Sequence, residues 1–250
     1  MQKGYREIVM ESDNARIVQQ YYYGGQGAPG EKRKKKRRPT PEEMRFVNAC
    51  TKKRKALWRL QLYFDVDDYY VTLTYRPKDR PKDMEGAKEA FKAFREKLRK
   101  EYKKRGLPFK WIANIERGVR KACHIHLILN RFDGLDRLIG KLWKLGRKDI
   151  QLMYEEGGFR DLAAYITKSP VTDSSLSETY YSHSRNLPLP APKVKEISGW
   201  SIKRKIRIPE GWYLDGDSLE EGETKAGFAY RSYVLLRTKR IKRGGIECTG

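Results

Sequence analysis

Cysteine is scarce in this 250-residue chain, which contains only three. Cys50, Cys123 and Cys248 have no paired spacing, which argues against a disulfide framework and against a zinc knuckle built on cysteines. A chain without disulfides suits a reducing compartment, so we expect it in the cytoplasm.

Long apolar runs are absent as well. No stretch is apolar for long enough to span a bilayer, and the N-terminus has no secretory signal, so we expect no membrane partner. The sequence also lacks the Gly-rich phosphate loop ending in Lys-Ser or Lys-Thr that NTPases carry. These absences leave a cytoplasmic protein without an ATPase motor as the expectation.

Acidic residues are outnumbered, because 55 Lys and Arg against 32 Asp and Glu leave a formal net charge of +23. Such an excess is typical of proteins that bind phosphate backbones. Seven consecutive cations follow a Gly-rich stretch near the N-terminus: Lys32, Arg33, Lys34, Lys35, Lys36, Arg37 and Arg38. Because glycine breaks regular structure and like charges repel, residues 1–39 are predicted to form a flexible basic arm that binds phosphates.

The rest of the chain alternates helical and strand-like patterns. A helix is predicted to begin at Thr40, a capping residue followed by Pro41 and by acids in the first turn. Further helices are predicted at 84–105, 135–145 and 159–168, and strands at 69–75, 109–116, 123–129 and 149–154. This order predicts an α+β fold in which helices flank an antiparallel sheet.

Domain boundaries follow from the same patterns. Residues 40–195 are predicted to form the α+β domain, and residues 196–250 a β-rich C-terminal extension with strands at 200–208 and 229–236. The polar segment 174–184 is predicted to be a loop, in which His183 would be an exposed histidine without a role in chemistry.

Two of the three histidines, His124 and His126, lie one residue apart in an apolar strand. Side chains on a strand alternate between faces, so the two imidazoles share one face. If strands 109–116 and 123–129 form a hairpin, Glu116 lies opposite His124 and Asn114 lies opposite His126. Two imidazoles and a carboxylate predict a site for an octahedral divalent ion such as Mg²⁺ or Mn²⁺. The alternative is a pair of histidines hydrogen-bonded on a sheet surface.

Tyr165 and Lys168 are three residues apart on the predicted helix 159–168, so they share a face. A phenol with a pKa near 10 becomes a useful nucleophile when a metal ion polarises its target and a cation stabilises the developing charge. Tyr165 is therefore predicted to be a nucleophile and Lys168 its phosphate or phenolate partner. The alternative is a core tyrosine beside a lysine that extends its amine to solvent.

These motifs resemble a known superfamily. His124-Ile125-His126 resembles the paired-histidine element of the HUH endonucleases, Val71-Thr72-Leu73-Thr74-Tyr75 resembles the first strand of their replication initiators, and Ala164-Tyr165-Ile166-Thr167-Lys168 resembles their tyrosine motif. Together with Ser184-Arg185-Asn186-Leu187, these segments resemble the replication-associated (Rep-like) proteins of plasmids, phages and integrated elements in Gram-positive bacteria. The resemblance covers residues 39–195.

The resemblance implies a central antiparallel sheet of about five strands and a bacterial, cytoplasmic protein. It implies that Glu116, His124 and His126 bind the metal, that Tyr165 is the nucleophile and that Lys168 is its partner. DNA contacts are expected at Thr72, Thr74 and Arg185 and along the basic arm. Cys123 stands where such proteins often carry a further histidine, and it should face away from the metal.

The sequence thus predicts a rolling-circle replication initiator that nicks and rejoins single-stranded or hairpin DNA through a 5′-phosphotyrosine. Three alternatives stay open at this point: a transposase or relaxase with the same chemistry, a silent module that binds single-stranded nucleic acid, and an RNA-binding protein. No small-molecule substrate is expected. Because the chain carries no ATPase motif, our hypothesis is that a host helicase unwinds the DNA.

Overall fold

The computed structural model of the protein describes residues 4–24, 38–153, 159–224 and 227–238. The strands in this part of the chain are β1 (Tyr5–Glu11), β2 (Ala15–Tyr22), β3 (Tyr69–Thr74), β4 (Trp111–Gly118), β5 (Cys123–Leu129), β6 (Lys148–Leu152), β7 (Leu176–His183), β8 (Lys193–Ile197), β9 (Trp212–Glu223) and β10 (Ala229–Arg237). The helices are α1 (Pro41–Tyr63), α2 (Met84–Lys104), α3 (Leu135–Leu142), α4 (Arg160–Ile166) and α5 (Gly199–Lys203). None of these helices combines the length and the apolar character that a membrane crossing requires.

The chain folds into two compact units, one of Pro39–Pro188 and the other of Met1–Arg38 with Leu189–Gly250. Each unit contains one five-stranded antiparallel sheet, with strand order β6-β3-β5-β4-β7 in the first and β8-β1-β2-β10-β9 in the second. The predicted α+β class with a central antiparallel sheet is confirmed.

In the Pro39–Pro188 unit, helices cover both faces of the sheet. On one face, buried residues of α2 and α3 such as Phe91, Leu98 and Ile139 pack on alternate strand residues such as Ile125. On the other face, α1 and α4 pack over only one end of the strands, where Ile112 and Ile128 are fully buried. The far end of that second face carries the polar residues described below.

Local sequence explains where α1 begins. The Thr40 hydroxyl accepts a hydrogen bond from the Glu43 N–H, and the Glu43 carboxylate accepts one from the Thr40 N–H. This reciprocal arrangement satisfies two donors that the first turn leaves free. The predicted helix start at Thr40 is confirmed.

Two sequence predictions for this unit differ from the structure. Residues 176–183, predicted as part of a polar loop, are strand β7, which pairs with β4 at the edge of the sheet. A strand at a sheet edge exposes much of its surface, so its sequence has little apolar alternation to signal it. The helix predicted at 159–168 begins at Arg160 and ends at Ile166.

The N-terminal prediction needs a larger correction. Residues 5–11 and 15–22 are not part of a flexible arm but form the hairpin β1–β2, which pairs with β8 and β10 from the C-terminal part of the chain. Residues 25–37, with the cations Lys32, Arg33, Lys34, Lys35, Lys36 and Arg37, lie outside the described residues. Partners distant in sequence are not visible in a local pattern, so the pairing could not be predicted.

The C-terminal prediction is correct at one strand and wrong at another. Strand β10 at 229–237 matches the predicted strand at 229–236, whereas the predicted strand at 200–208 is the short helix α5 and an irregular segment. The compact unit that begins at Pro39 ends at Pro188, before the predicted boundary at residue 195, because β8 pairs with β1.

Candidate active site

The polar end of the sheet is built by the hairpin of β4 and β5. Glu116 pairs with His124 and Asn114 pairs with His126, in the register that the sequence predicts. Because alternate residues of a strand share a face, all four side chains point to the side on which α4 lies. Strand alternation and one tight turn between neighbouring strands are enough to set this arrangement.

Glu116 and His126 are in direct contact. Their side chains are 8% and 5% exposed, and His126 Nε2 lies 3.2 Å from Glu116 Oε2. The imidazole of His124 is half-buried, and its ring centroid lies 6.4 Å from that of His126. Burial, followed by the neighbouring His126, lowers the pKa of His124, which favours the neutral form that binds metals.

Asn114 supplies a further oxygen beside this pair. Its Nδ2 donates to Glu116 Oε1 at 3.1 Å and to the Lys168 carbonyl at 3.2 Å. Its Oδ1 is buried and has no hydrogen-bond partner among the described residues. An unsatisfied buried oxygen is costly unless a proton donor, a water molecule or a cation fills the position.

The fit of these residues to a divalent ion can be judged from their donor types. In the described part of the chain, no group of three or more His, Cys, Asp or Glu side chains is arranged to hold a metal ion. The donors at this end of the sheet are carboxylate, imidazole and amide oxygen, which suit an ion such as Mn²⁺ or Mg²⁺ better than a thiolate-rich zinc site. The chemistry of the donor set fits, and the assignment of Glu116, His124 and His126 as metal ligands stays a prediction.

Tyr70 is a site residue that the sequence reasoning missed. Its hydroxyl lies 2.8 Å from His126 Nδ1, and the hydroxyl of Thr72 lies 3.3 Å from the same nitrogen. Burial raises the pKa of Tyr70 well above its usual range, so its hydroxyl stays protonated. The alternation of β3 places Tyr70 and Thr72 on one face, but only the pairing of β3 with β5 brings them to His126.

Tyr165 lies directly over this polar end of the sheet. Its side chain is exposed, and its ring meets that of His126 edge-on at a centroid distance of 4.9 Å and that of Tyr70 at 5.9 Å. Helix α4 carries Tyr165 on its outer side, because Ala163 and Ile166 are buried against the sheet. Tyr165 and His126, 39 positions apart in the numbering, are therefore neighbours in space.

Lys168 follows α4 but remains beside Tyr165. The Lys168 N–H donates to the Tyr165 carbonyl at 3.2 Å, which continues the turn beyond the helix end. Lys168 Nζ lies 4.4 Å from the centroid of the Tyr165 ring and 3.3 Å from Asp173 Oδ2. Hydrogen bonds from Ser175, followed by the contact with Lys168, lower the pKa of Asp173. The ammonium group thus has an anionic partner on one side and the phenol on the other.

An open groove of about 450 Å³ begins at Tyr165. Tyr70, Thr72 and Leu162 line it together with the carboxylates of Asp149 and Asp161. The groove gives the Tyr165 side chain access from solvent, and its mixed polar and apolar lining is typical of sites that bind small groups such as a nucleobase.

The other tyrosines and the third histidine are arranged differently. Tyr181 pairs with Asn114, but its hydroxyl is buried without a partner among the described residues, and burial raises its pKa to about 12. Tyr180, the preceding residue of β7, points to the opposite face, where it pairs with Ile115. His183 was predicted to be exposed; it is half-buried on β7, and its Nδ1 lies 3.0 Å from the Ser184 carbonyl.

The remaining residues predicted to bind DNA are spread over the unit. The Thr74 hydroxyl exchanges hydrogen bonds with the backbone of Arg147, at 3.2 and 3.4 Å, which ties the end of β3 to the start of β6. Arg185 is exposed just after β7, and Arg38 is exposed just before α1. The contact of Thr72 with His126 brings it to the candidate site, whereas Arg185 and Thr74 do not touch that cluster through any hydrogen bond of the described residues.

Comparison with known families supports this location. Residues 68–170 match the family model of the replication-associated protein ORF2. The match runs from the start of β3 to just beyond α4 and includes all of Glu116, His124, His126, Tyr165 and Lys168. The predicted resemblance to replication-associated proteins is confirmed. No curated protein and no solved structure is significantly similar to the chain.

Proposed function

We propose that this protein is a replication initiator that nicks and rejoins single-stranded or hairpin DNA with Tyr165 as its nucleophile. The family match supports a role in the initiation of replication. The observation that carries the chemistry is the position of Tyr165, whose exposed ring lies 4.9 Å from the His126 ring and 4.4 Å from Lys168 Nζ.

In the proposed reaction the phenolic oxygen of Tyr165 attacks the scissile phosphorus. The Tyr–O–P bond forms as the P–O3′ bond breaks, so the protein keeps the 5′-phosphate and the other strand end leaves as a 3′-hydroxyl after taking up a proton. The phosphotyrosine stores the energy of the broken phosphodiester, so the reverse attack by a 3′-hydroxyl rejoins DNA without ATP. Lys168 would stabilise negative charge on the phenolate or on a non-bridging oxygen.

Glu116, His124 and His126 are proposed to hold Mg²⁺ or Mn²⁺. When bound, such an ion polarises a phosphate and compensates the charge that develops on it. The half-buried and buried positions of these residues, the unsatisfied Asn114 Oδ1 and the outer partner of His126 at Tyr70 support the assignment. Outer hydrogen-bond partners of this kind fix the orientation of a ligating histidine.

Covalent capture tests the proposal. The full chain is incubated with a pool of single-stranded and hairpin-bearing DNA and Mn²⁺, and a denaturant-resistant protein–DNA adduct is sought. We expect an adduct that EDTA and Tyr165→Phe abolish and that the matched control Tyr181→Phe retains. Sequencing of the captured strand would then identify the target. An adduct that survives in Tyr165→Phe would overturn the assignment of the nucleophile.

One observation favours a second candidate, a module that binds single-stranded DNA without cutting it. Glu116 and His126 contact each other at 3.2 Å, and no cluster of three ligand side chains is arranged for a metal ion among the described residues. DNA binding that needs no metal, together with no adduct from any hairpin or single-stranded substrate, would establish this candidate in place of the nickase.

A further inference from the structure

A second groove of the Pro39–Pro188 unit lies on the opposite face of the sheet, between α2 and the edge strand β7. Its volume is about 950 Å³, and Arg95, Arg99, Lys103, Tyr180 and Arg185 are among its lining residues. We propose that this α2–β7 groove binds the single-stranded DNA that continues beyond the candidate active site. The proposal rests on the proposed function, because it gives the substrate a second contact surface.

The charge of the α2–β7 groove points to a polyanion. Arg95, Arg99 and Lys103 follow one another at intervals of four residues along α2, so they form a stripe on one side of the helix. Arg185 adds a fourth cation, and Glu96, the one carboxylate in the described lining, is paired with Arg99. Regularly placed cations in a concave surface are the arrangement that follows a phosphate backbone.

Aromatic side chains in the same groove favour a single strand over a duplex. The Tyr180 side chain is 40% exposed, and Phe109 and Trp111 line the wall beside it. Lys88 Nζ lies 4.7 Å from the Tyr180 ring centroid, so a cation accompanies this ring. Unpaired bases can stack on an exposed ring, whereas the bases of a duplex are already stacked on one another.

A polar atom without a partner adds an independent observation. Ser182 Oγ, two residues after Tyr180 on β7, is buried and makes no hydrogen bond within the described residues. Ser182 lines the α2–β7 groove, so its hydroxyl can donate to a bound phosphate or accept from a base.

The edge position of β7 explains how one strand of DNA can reach both surfaces. Thr179 pairs with Glu116 and therefore faces the candidate active site, whereas Tyr180 pairs with Ile115 and faces the groove. In the described sheet, β7 is the last strand on this side. A flexible single strand that passes over this edge leaves Tyr165 on one face and enters the groove on the other.

The test compares two pairs of neutralising substitutions on the same helix. Arg99→Gln with Lys103→Gln removes two groove cations, and the control, Lys97→Gln with Lys100→Gln, removes two exposed cations outside the groove lining. Binding of labelled oligothymidines of about 8 and about 25 nucleotides is measured by fluorescence anisotropy over a range of salt concentrations. Both variants lose the same charge, so a general electrostatic effect is equal in the two.

We expect the groove variant to bind the longer oligonucleotide more weakly than the control does, with the slope of log affinity against log salt reduced by about 1.4, the value for two lost phosphate contacts on a single strand. Binding of the shorter oligonucleotide should differ little between the variants. Tyr180→Leu should weaken binding of the longer oligonucleotide about tenfold, and Tyr180→Phe, which keeps the ring, should not.

Equal affinities and slopes in the groove and control variants would overturn the groove proposal. A loss confined to duplex DNA would overturn it as well, since the occupant would then be a duplex. The adduct assay separates this result from a failure of the proposed function. Groove variants that still form the Tyr165 adduct but bind long strands normally refute the groove alone, while absent adduct with impaired long-strand binding refutes the nickase alone.

Discussion

The hydroxyl of Tyr70 offers a direct test of how the candidate metal site is held. This hydroxyl lies 2.8 Å from His126 Nδ1, on the far side of the ring from Glu116, whose Oε2 lies 3.2 Å from Nε2. Replacing Tyr70 by Phe removes the hydrogen bond and keeps the ring that packs against Tyr165. If His126 is a metal ligand, the substitution frees its ring to rotate and weakens the ion's binding.

The magnitude follows from the two contacts at His126 Nδ1. Losing the outer partner of a ligating histidine costs about 10- to 100-fold in metal affinity. The Thr72 hydroxyl, at 3.3 Å, is a longer second partner that remains in the single variant. We therefore expect a loss of about tenfold for Tyr70→Phe and about 100-fold when Thr72→Val is added.

Calorimetric titration with Mn²⁺ measures this loss, and the Mn²⁺ concentration at half-maximal adduct formation gives a second reading. The control is Tyr69→Phe, because Tyr69 precedes Tyr70 on β3 and packs on the opposite side of the sheet. Unchanged Mn²⁺ affinity in Tyr70→Phe, or an equal loss in Tyr69→Phe, would refute the reasoning that Tyr70 orients a ligand.

Three further outcomes are expected. Lys168→Met should lower the rate of adduct formation by about 10²- to 10³-fold with little change in DNA affinity, and single-turnover rates compared with Lys144→Met would check it. Burial raises the pKa of Asp68 to about 6; because the folded chain then holds a proton that the unfolded chain releases, the free energy of unfolding should fall by about 2–3 kcal/mol as pH rises from about 4 to about 7. Urea unfolding across that range should show a flatter dependence in Asp68→Asn than in the exposed control Asp67→Asn, and equal slopes would contradict the argument. Gly146→Ala should destabilise the fold by about 1–3 kcal/mol, because its Cβ would meet the Thr74 carbonyl oxygen at 2.0 Å, whereas Gly140→Ala, whose nearest neighbour is the flexible end of Lys148 at 3.4 Å, should unfold much as the wild type does.

What the sequence determined by itself is local or depends on neighbouring elements. The capping box at Thr40 and Glu43 starts α1, because both partners lie within one turn. The alternation of β5 puts His124 and His126 on one face, and the tight connection to β4 leaves one register, in which Glu116 and Asn114 join them. The motifs of this segment are also those that the family match covers.

Only the tertiary structure decided the contacts between distant parts of the chain. The pairing of β3 with β5 brings Tyr70 to His126, and the packing of α4 on Ile112 and Ile128 sets Tyr165 above them. The polar edge strand β7 and the pairing of β1 and β2 with C-terminal strands leave no comparable local signal. Strand order is chosen by burial of whole faces and by loop closure over long separations, which no short stretch of residues encodes.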